Sequence, residues 1–319
     1  MEDSHHNVAL DLLDTQRGLR VIKVTFFGLL LTAAVEGVIT YLSGSAGLLA
    51  DTIHGMSNAL TTLPLWIAFS LSRRRPNNEY PYGYHRAEDL AGIMILVFIA
   101  LTAVLVGYES VRKLIAGNEV QNIYFAMAAG ALSFLANEGI AQYRIRVGKQ
   151  IASAALVADG HHARVDGLGS LAVVLGLIAV LLGFPVADPL VGLVITGLIV
   201  YLLVREAGPM VLSRVMDRMD PGIITQIEDL ASEVPGVRRA YDVRARWVGH
   251  RLLAELTIGV EADLTVAQGH RIAEQVQHKL MHSVSKFQWG SIHVVPFENG
   301  TPPDLEIIGH HLPERESPE

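Results

Sequence analysis

Apolar residues come in long, nearly unbroken runs over the first two thirds of the chain. Six runs, at about 21–42, 45–71, 88–114, 122–143, 153–182 and 189–207, each approach the roughly 20 residues a helix needs to cross a bilayer. The pattern changes at about residue 213. Asp220-Pro221 is a cap followed by a first-turn proline, and it predicts a helix over 221–234. Alternation predicts strands at 238–246 and 251–260 around Val248-Gly249-His250. Val266, Ile272, Ala273, Val276 and Leu280 give a second helix over 265–282, and 289–296 reads as a last strand. The order αββαβ predicts a small α+β, ferredoxin-like domain with helices on one face of its sheet. The expected architecture is therefore a six-helix membrane domain over 17–212 and a cytoplasmic α+β domain over 213–299. They are flanked by an N-terminal tail (1–16) and a disordered tail (300–319).

Basic residues set the expected orientation. Arg17, Arg20 and Lys23 precede the first run, and Arg73, Arg74, Arg75 and Arg86 lie between the second and third. Arg144, Arg146 and Lys149 follow the fourth, and Arg205, Arg214 and Arg218 follow the sixth. Apart from Arg112 and Lys113, the opposite connections are nearly free of Lys and Arg. Both termini are expected in the cytoplasm, and the plasma membrane is the expected location. Met1-Glu2-Asp3-Ser4-His5-His6 lacks the basic start of a signal peptide and reads as a short cytoplasmic tail.

Composition narrows the chemistry. Half of the 319 residues are apolar and 18% are charged, against about 25% charged in soluble domains. A net charge of −7 argues against nucleic-acid binding. The absence of cysteine excludes disulfides, iron–sulfur clusters and thiolate zinc sites, so a metal here must be held by His, carboxylate, amide or water.

Ionisable residues inside a span cost at least about 2.5–3.5 kcal/mol each to insert, so they need a reason. The second run holds Asp51, His54 and Asn58; the fifth holds Asp159, His162 and Asp166. Offsets of three and four put each triplet on one helix face, and the second repeats the first as Ala-Asp-x-x-His-x-x-x-Asn/Asp. His54, Asn58, His162 and Asp166 can together supply a tetrahedral set of two imidazoles, one amide and one carboxylate. That set suits Zn²⁺, Co²⁺ or Ni²⁺ better than Mg²⁺ or Ca²⁺. The competing reading is helix-packing hydrogen bonds. Asp51 and Asp159, nearer the helix starts, read equally as caps, water-exposed residues or ligands. Glu36, Asn137 and Glu138 read as packing or pathway residues. His161 points about 100° away from His162 and reads as a bystander.

These segments resemble the cation diffusion facilitator family of divalent-metal transporters. Gly44-Ser45-Ala46-Gly47-Leu48-Leu49-Ala50-Asp51 through Asn58 is similar to the family's second-helix site. Tyr82-Gly83-Tyr84-His85-Arg86-Ala87-Glu88 looks like its third-helix opening, and Ala158-Asp159-Gly160-His161-His162 through Asp166 like its fifth-helix site. The resemblance implies a homodimer in the lipid bilayer. It would export M²⁺ from the cytoplasm in exchange for H⁺ by alternating access, with no resident cofactor and no enzymatic activity. Zn²⁺ is the first expectation, with Co²⁺, Ni²⁺, Fe²⁺ and Mn²⁺ as alternatives. The resemblance also implies a charge latch between Arg86 and Asp217.

Three departures stand out. Asn58 replaces the family's Asp. Asn77, Tyr80 and Tyr84 stand where some relatives have a loop metal site. In the cytoplasmic domain His270 and His293 are kept, while Tyr241, Thr257 and Val295 replace other ligands; His250 reads as a surface residue or a weak candidate. Asn58 leaves open a non-transporting partner or scaffold that binds metal weakly. A membrane metalloenzyme would need a His-Glu-x-x-His pattern or a paired nucleophile and base, and neither stands out.

Overall fold

The computed structural model describes residues 2–43, 62–116, 123–184 and 187–297. The helices α1 (Glu2–Ser43), α2 (Leu63–Ser72), α3 (Arg86–Ala116), α4 (Ile123–Gln150), α5 (Ala154–Leu181) and α6 (Ala187–Leu202) follow in order. A π-helical turn, Leu203–Ala207, joins α6 to α7 (Gly208–Val215). Five stretches among the described residues are long and apolar enough to cross a membrane: Leu13–Val38, Arg86–Arg112, Ile123–Gln150, Ala154–Leu181 and Pro189–Val215. Of the expected second span only its end, as α2, lies among them.

Contacts divide the chain into two compact units: Val8–Arg218 together with Val248–His250, and Met1–Asn7 with Met219–Trp247 and Arg251 onward. The membrane unit is cored by Ile22, Leu65, Phe69, Ile95, Ile99, Leu156 and Ile199, all fully or nearly fully buried. Its outer face carries exposed Leu31, Val104, Leu135 and Val194, side chains that lipid tails accept without penalty.

Three boundaries differ from the sequence reading. The N-terminal tail is helical from Glu2, continuous with the first span. The fourth helix runs on past 143 to Gln150. The sixth span continues past 207 to Val215, because the π turn absorbs Pro209, which cannot donate to a regular helical ladder. Gly208 is required there: a Cβ would stand 2.6 Å from the Leu203 carbonyl oxygen.

In the cytoplasmic unit, α8 (Pro221–Ser232), β1 (Arg239–Val248), β2 (Arg251–Val260), α9 (Val266–Ser283) and β3 (Phe287–Pro296) realise the expected αββαβ order. The sheet order is β1-β2-β3, with β2 and β3 parallel. A two-residue connection joins β1 to β2, and the crossover from β2 to β3 runs through α9. Asp220 caps α8 by accepting from the Gly222 amide at 2.9 Å. A capping box between Thr265 and Gln268 opens α9. Ile227, Leu252, Ile258, Val276, Leu280 and Phe287 form the core between helices and sheet.

Candidate metal site in the membrane unit

Helix α5 carries the chemistry. It starts after a tight turn in which Ala152 adopts φ 57°, and Ser153 caps it by accepting from the Leu156 amide at 3.3 Å. Asp159, His162 and Asp166 then follow at one-turn intervals, all buried. His162 Nε2 lies 3.8 Å from Asp166 Oδ2. The His162 ring stacks against Phe98 of α3 at a centroid distance of 6.3 Å. Neither His162 ring nitrogen has a hydrogen-bond partner among the described residues. A buried imidazole with both nitrogens uncommitted, one turn from a buried carboxylate, is a pair of donors suited to a borderline divalent cation. His161 is buried as well, beside rather than within this pair.

The other expected donors, His54 and Asn58, lie outside the described residues, as does Asp51. Among the described residues no group of three or more His, Cys, Asp or Glu is gathered for a metal. His162 and Asp166 are thus half of the expected set.

Asp159 is neither a cap nor water-exposed, which corrects two of its three sequence readings. It is fully buried, with Oδ2 2.9 Å from Arg144 Nη1 in an ion pair. Arg144, counted in the sequence as a cytoplasmic loop charge, is 1% exposed. Its Nε donates to Thr25 Oγ1 at 3.0 Å and its Nη2 to Thr62 Oγ1 at 3.1 Å. The sequence did carry a signal for this. Asn137, Ala141, Arg144 and Gly148 follow heptad spacing, and all four are buried on one face of α4. Glu138 on the same helix makes a two-pronged pair with Arg164 of α5, at 2.9 and 3.1 Å.

Arg86 Nη2 lies 3.1 Å from Asp217 Oδ1, and its Nη1 lies 3.6 Å from Asp89. Asp217 sits at φ 53° just after α7, a backbone conformation that Asp tolerates better than most residues. The loop ahead of α3 holds itself together. Asn77 Oδ1 accepts from the Glu79 and Tyr80 amides, its Nδ2 donates to the Tyr84 hydroxyl at 3.0 Å, and Tyr80 packs on Tyr84.

The three histidine candidates that the sequence puts in the cytoplasmic domain, His250, His270 and His293, do not come together. His250 is not a surface residue: it is buried within the membrane unit's contacts, Nδ1 2.8 Å from Glu88 Oε1, its ring parallel to Phe69. Its place in a two-residue strand connection gave no sign of that burial. His270 is exposed on α9, 3.5 Å from Glu274. His293 is exposed on β3 in register with Thr257 of β2. Burial and the neighbouring Asp242 carboxylate push the Tyr241 phenol above its ordinary value, so it stays protonated and is a poor metal ligand.

Comparison with known proteins places both parts of the chain in one family. Residues 22–212 match the cation efflux transmembrane domain, and residues 219–297 match the cation efflux protein cytoplasmic domain. A probable cation efflux system protein of Mycobacterium tuberculosis is 43% identical over 93% of this chain and 91% of its own length. The magnetosome protein MamB of Magnetospira sp. is 29% identical over 82% of this chain and 89% of its own. The manganese efflux system protein MneP of Bacillus subtilis is 25% identical over 79% and 87%. A solved structure titled MamM-CTD 215-293 is 32% identical, covers 24% of this chain and 96% of that one, and has a TM-score of 0.23. The chain is a multi-pass membrane protein and belongs to the cation diffusion facilitator family of cation efflux transporters.

Proposed function

We propose that the chain exports a borderline divalent cation, Zn²⁺ before Co²⁺ or Ni²⁺, from the cytoplasm in exchange for protons, as a homodimer in the plasma membrane with both termini cytoplasmic. The observation that carries this reading is the buried His162–Asp166 pair with its uncommitted imidazole. Imidazole and carboxylate bind metal only when deprotonated, so metal and protons compete for the same atoms. Loading is favoured on the less acidic side and release on the more acidic side. His162 is the natural proton carrier, since imidazole titrates near neutral pH when unperturbed. His54 and Asn58 complete the ligand set in this reading. The dimer is held mainly by the cytoplasmic domain, and Arg86 and Asp217 form a latch at the cytoplasmic end of the membrane unit.

Asn58 sets the ion. With Asn the site carries one negative charge less than with Asp, which weakens Coulomb attraction for every dication. It weakens oxygen-loving Mn²⁺ more than ions that imidazole holds. MneP is named for manganese; in this chain Asn58→Asp is expected to broaden transport toward Mn²⁺ and make it more sensitive to acid.

The test is metal and proton flux in proteoliposomes, comparing Zn²⁺ with Mn²⁺. Wild type should move Zn²⁺ with opposite proton flux; folded, inserted His162→Ala and Asp166→Ala should not. Near-normal flux in His162→Ala would remove the proposed site. Absence of ion-dependent flux in wild type itself would favour the non-transporting partner.

A further inference from the structure

We propose that Arg144 is a positioning residue for the transport site, and that Asp159 is its counter-ion and not a metal ligand; this rests on the site proposed above. Helices α4 and α5 approach closely just after Arg144 on α4. A Cβ at Gly148 would stand 2.9 Å from the Val157 amide nitrogen, and one at Gly160 would stand 3.0 Å from that of Ile145. Such contact between small residues is how membrane helices pack tightly. It places the Arg144 guanidinium 2.9 Å from Asp159, one turn before His162 on α5.

All three guanidinium nitrogens are engaged, each with a different segment. Nη1 faces Asp159, Nε donates to Thr25 on α1, and Nη2 donates to Thr62 ahead of α2. The Thr25 hydroxyl donates in turn to the Val21 carbonyl at 2.8 Å, which leaves its lone pairs for Arg144. Thr62 is fully buried and stands four residues after Asn58 in the chain. One planar cation therefore ties the helix that carries His162 and Asp166 to the segment that follows His54 and Asn58. In the ligand set proposed above the donors come from α5 and from the segment ahead of Thr62, so a tie between α5 and Thr62 bears on both donor pairs. A rigid fork suits this role; a lysine ammonium would keep the charge and lose the fixed spread of donors.

The test measures Zn²⁺ and Mn²⁺ transport by the full chain in proteoliposomes for Arg144→Lys, Thr62→Val and Thr25→Val, alongside thermal unfolding. Thr62→Val is nearly isosteric and removes one hydrogen bond, so it reports even where Arg144→Lys is not recovered folded. Outer partners of metal ligands typically change affinity about 10–100-fold, and Arg144→Lys should raise the KM for Zn²⁺ within that range. Thr62→Val should raise KM and narrow the Zn²⁺ over Mn²⁺ preference. Thr25→Val, which cuts the tie to α1 only, should lower thermal stability with a smaller change in KM. Wild-type KM and ion preference in folded Arg144→Lys, or in Thr62→Val where that variant alone is recovered, would overturn the positioning role and leave Arg144 purely structural. His162→Ala is the control: if it transports normally the site itself fails, whereas if it is inactive and the Arg144 and Thr62 variants are normal, only the positioning fails.

Discussion

The two units place their charges in opposite ways. In the membrane unit the Arg144–Asp159 pair is sealed, with side chains 2% and 0% exposed. In the cytoplasmic unit Arg238 and Glu261 pair at the surface, at 61% and 47%. The same residue types thus carry different energetic weight. At the surface, water and salt solvate either partner when the other is lost. In the interior, loss of one partner strands a desolvated charge. A buried pair that is dangerous to break is poor evidence of net stabilisation; in this chain its proposed role is to hold a geometry. That is why Arg144, and not the more visible surface pairs, bears on the site.

The largest expected effect is on the sealed side. Arg144→Ala leaves Asp159 buried without its counter-ion, and breaking such a pair costs about 3–5 kcal/mol. Folded yield and thermal unfolding in detergent should show the loss, and Asp159→Asn in the same chain should restore part of it. Equal stability of Arg144→Ala and wild type would erase the contrast between the units.

A neutral feature of the cytoplasmic unit comes next. Thr265→Ala removes the cap of α9, where the Thr265 hydroxyl accepts from the Gln268 amide at 3.3 Å. Loss of an N-cap costs about 0.5–2 kcal/mol. Hydrogen exchange should quicken in the first turn of α9, with transport-site affinity unchanged.

The smallest effect belongs to Arg86 and Asp217, whose side chains are 43% and 40% exposed. Exposed pairs couple by about 0.2–1 kcal/mol, less at high salt. A double-mutant cycle with Arg86→Ala and Asp217→Ala should give coupling in that range. A value of several kcal/mol would mean that the pair works as a buried one in the assembled dimer, and would strengthen the latch.

What the sequence disclosed follows from the same contrast. Hydrophobic period and the Asp220-Pro221 cap located the αββαβ domain closely, because these signals and the alternating strands act locally. The α5 triplet was legible because charge in an apolar run is rare and the spacing puts it on one face. Hydropathy ends a span at the first Arg, which puts Arg144 in a loop. Its heptad place with Asn137, Ala141 and Gly148 marks a buried face, but what it pairs with there, Asp159 15 residues away and two threonines from other segments, only the structure shows. His250 escapes the pattern for the same reason: its burial depends on Glu88 and Phe69, far away in the chain. The π turn before Gly208 left only a proline as its sign. Long-range pairing of charges is what one-dimensional pattern does not carry.

The proposed transport cycle requires His162 as a donor to the transported ion, and X-ray absorption at the zinc edge examines that bond directly. The protein should be Zn²⁺-loaded in lipid nanodiscs, with His270→Gln, His278→Gln, His282→Gln and His293→Gln introduced so that the exposed imidazoles of α9 and β3 are silent. The expected spectrum shows four light-atom donors, two of them imidazole nitrogens at about 2.0–2.1 Å. His162→Ala should reduce the imidazole count to one or abolish loading. An unchanged imidazole count and undiminished loading in His162→Ala would contradict the account.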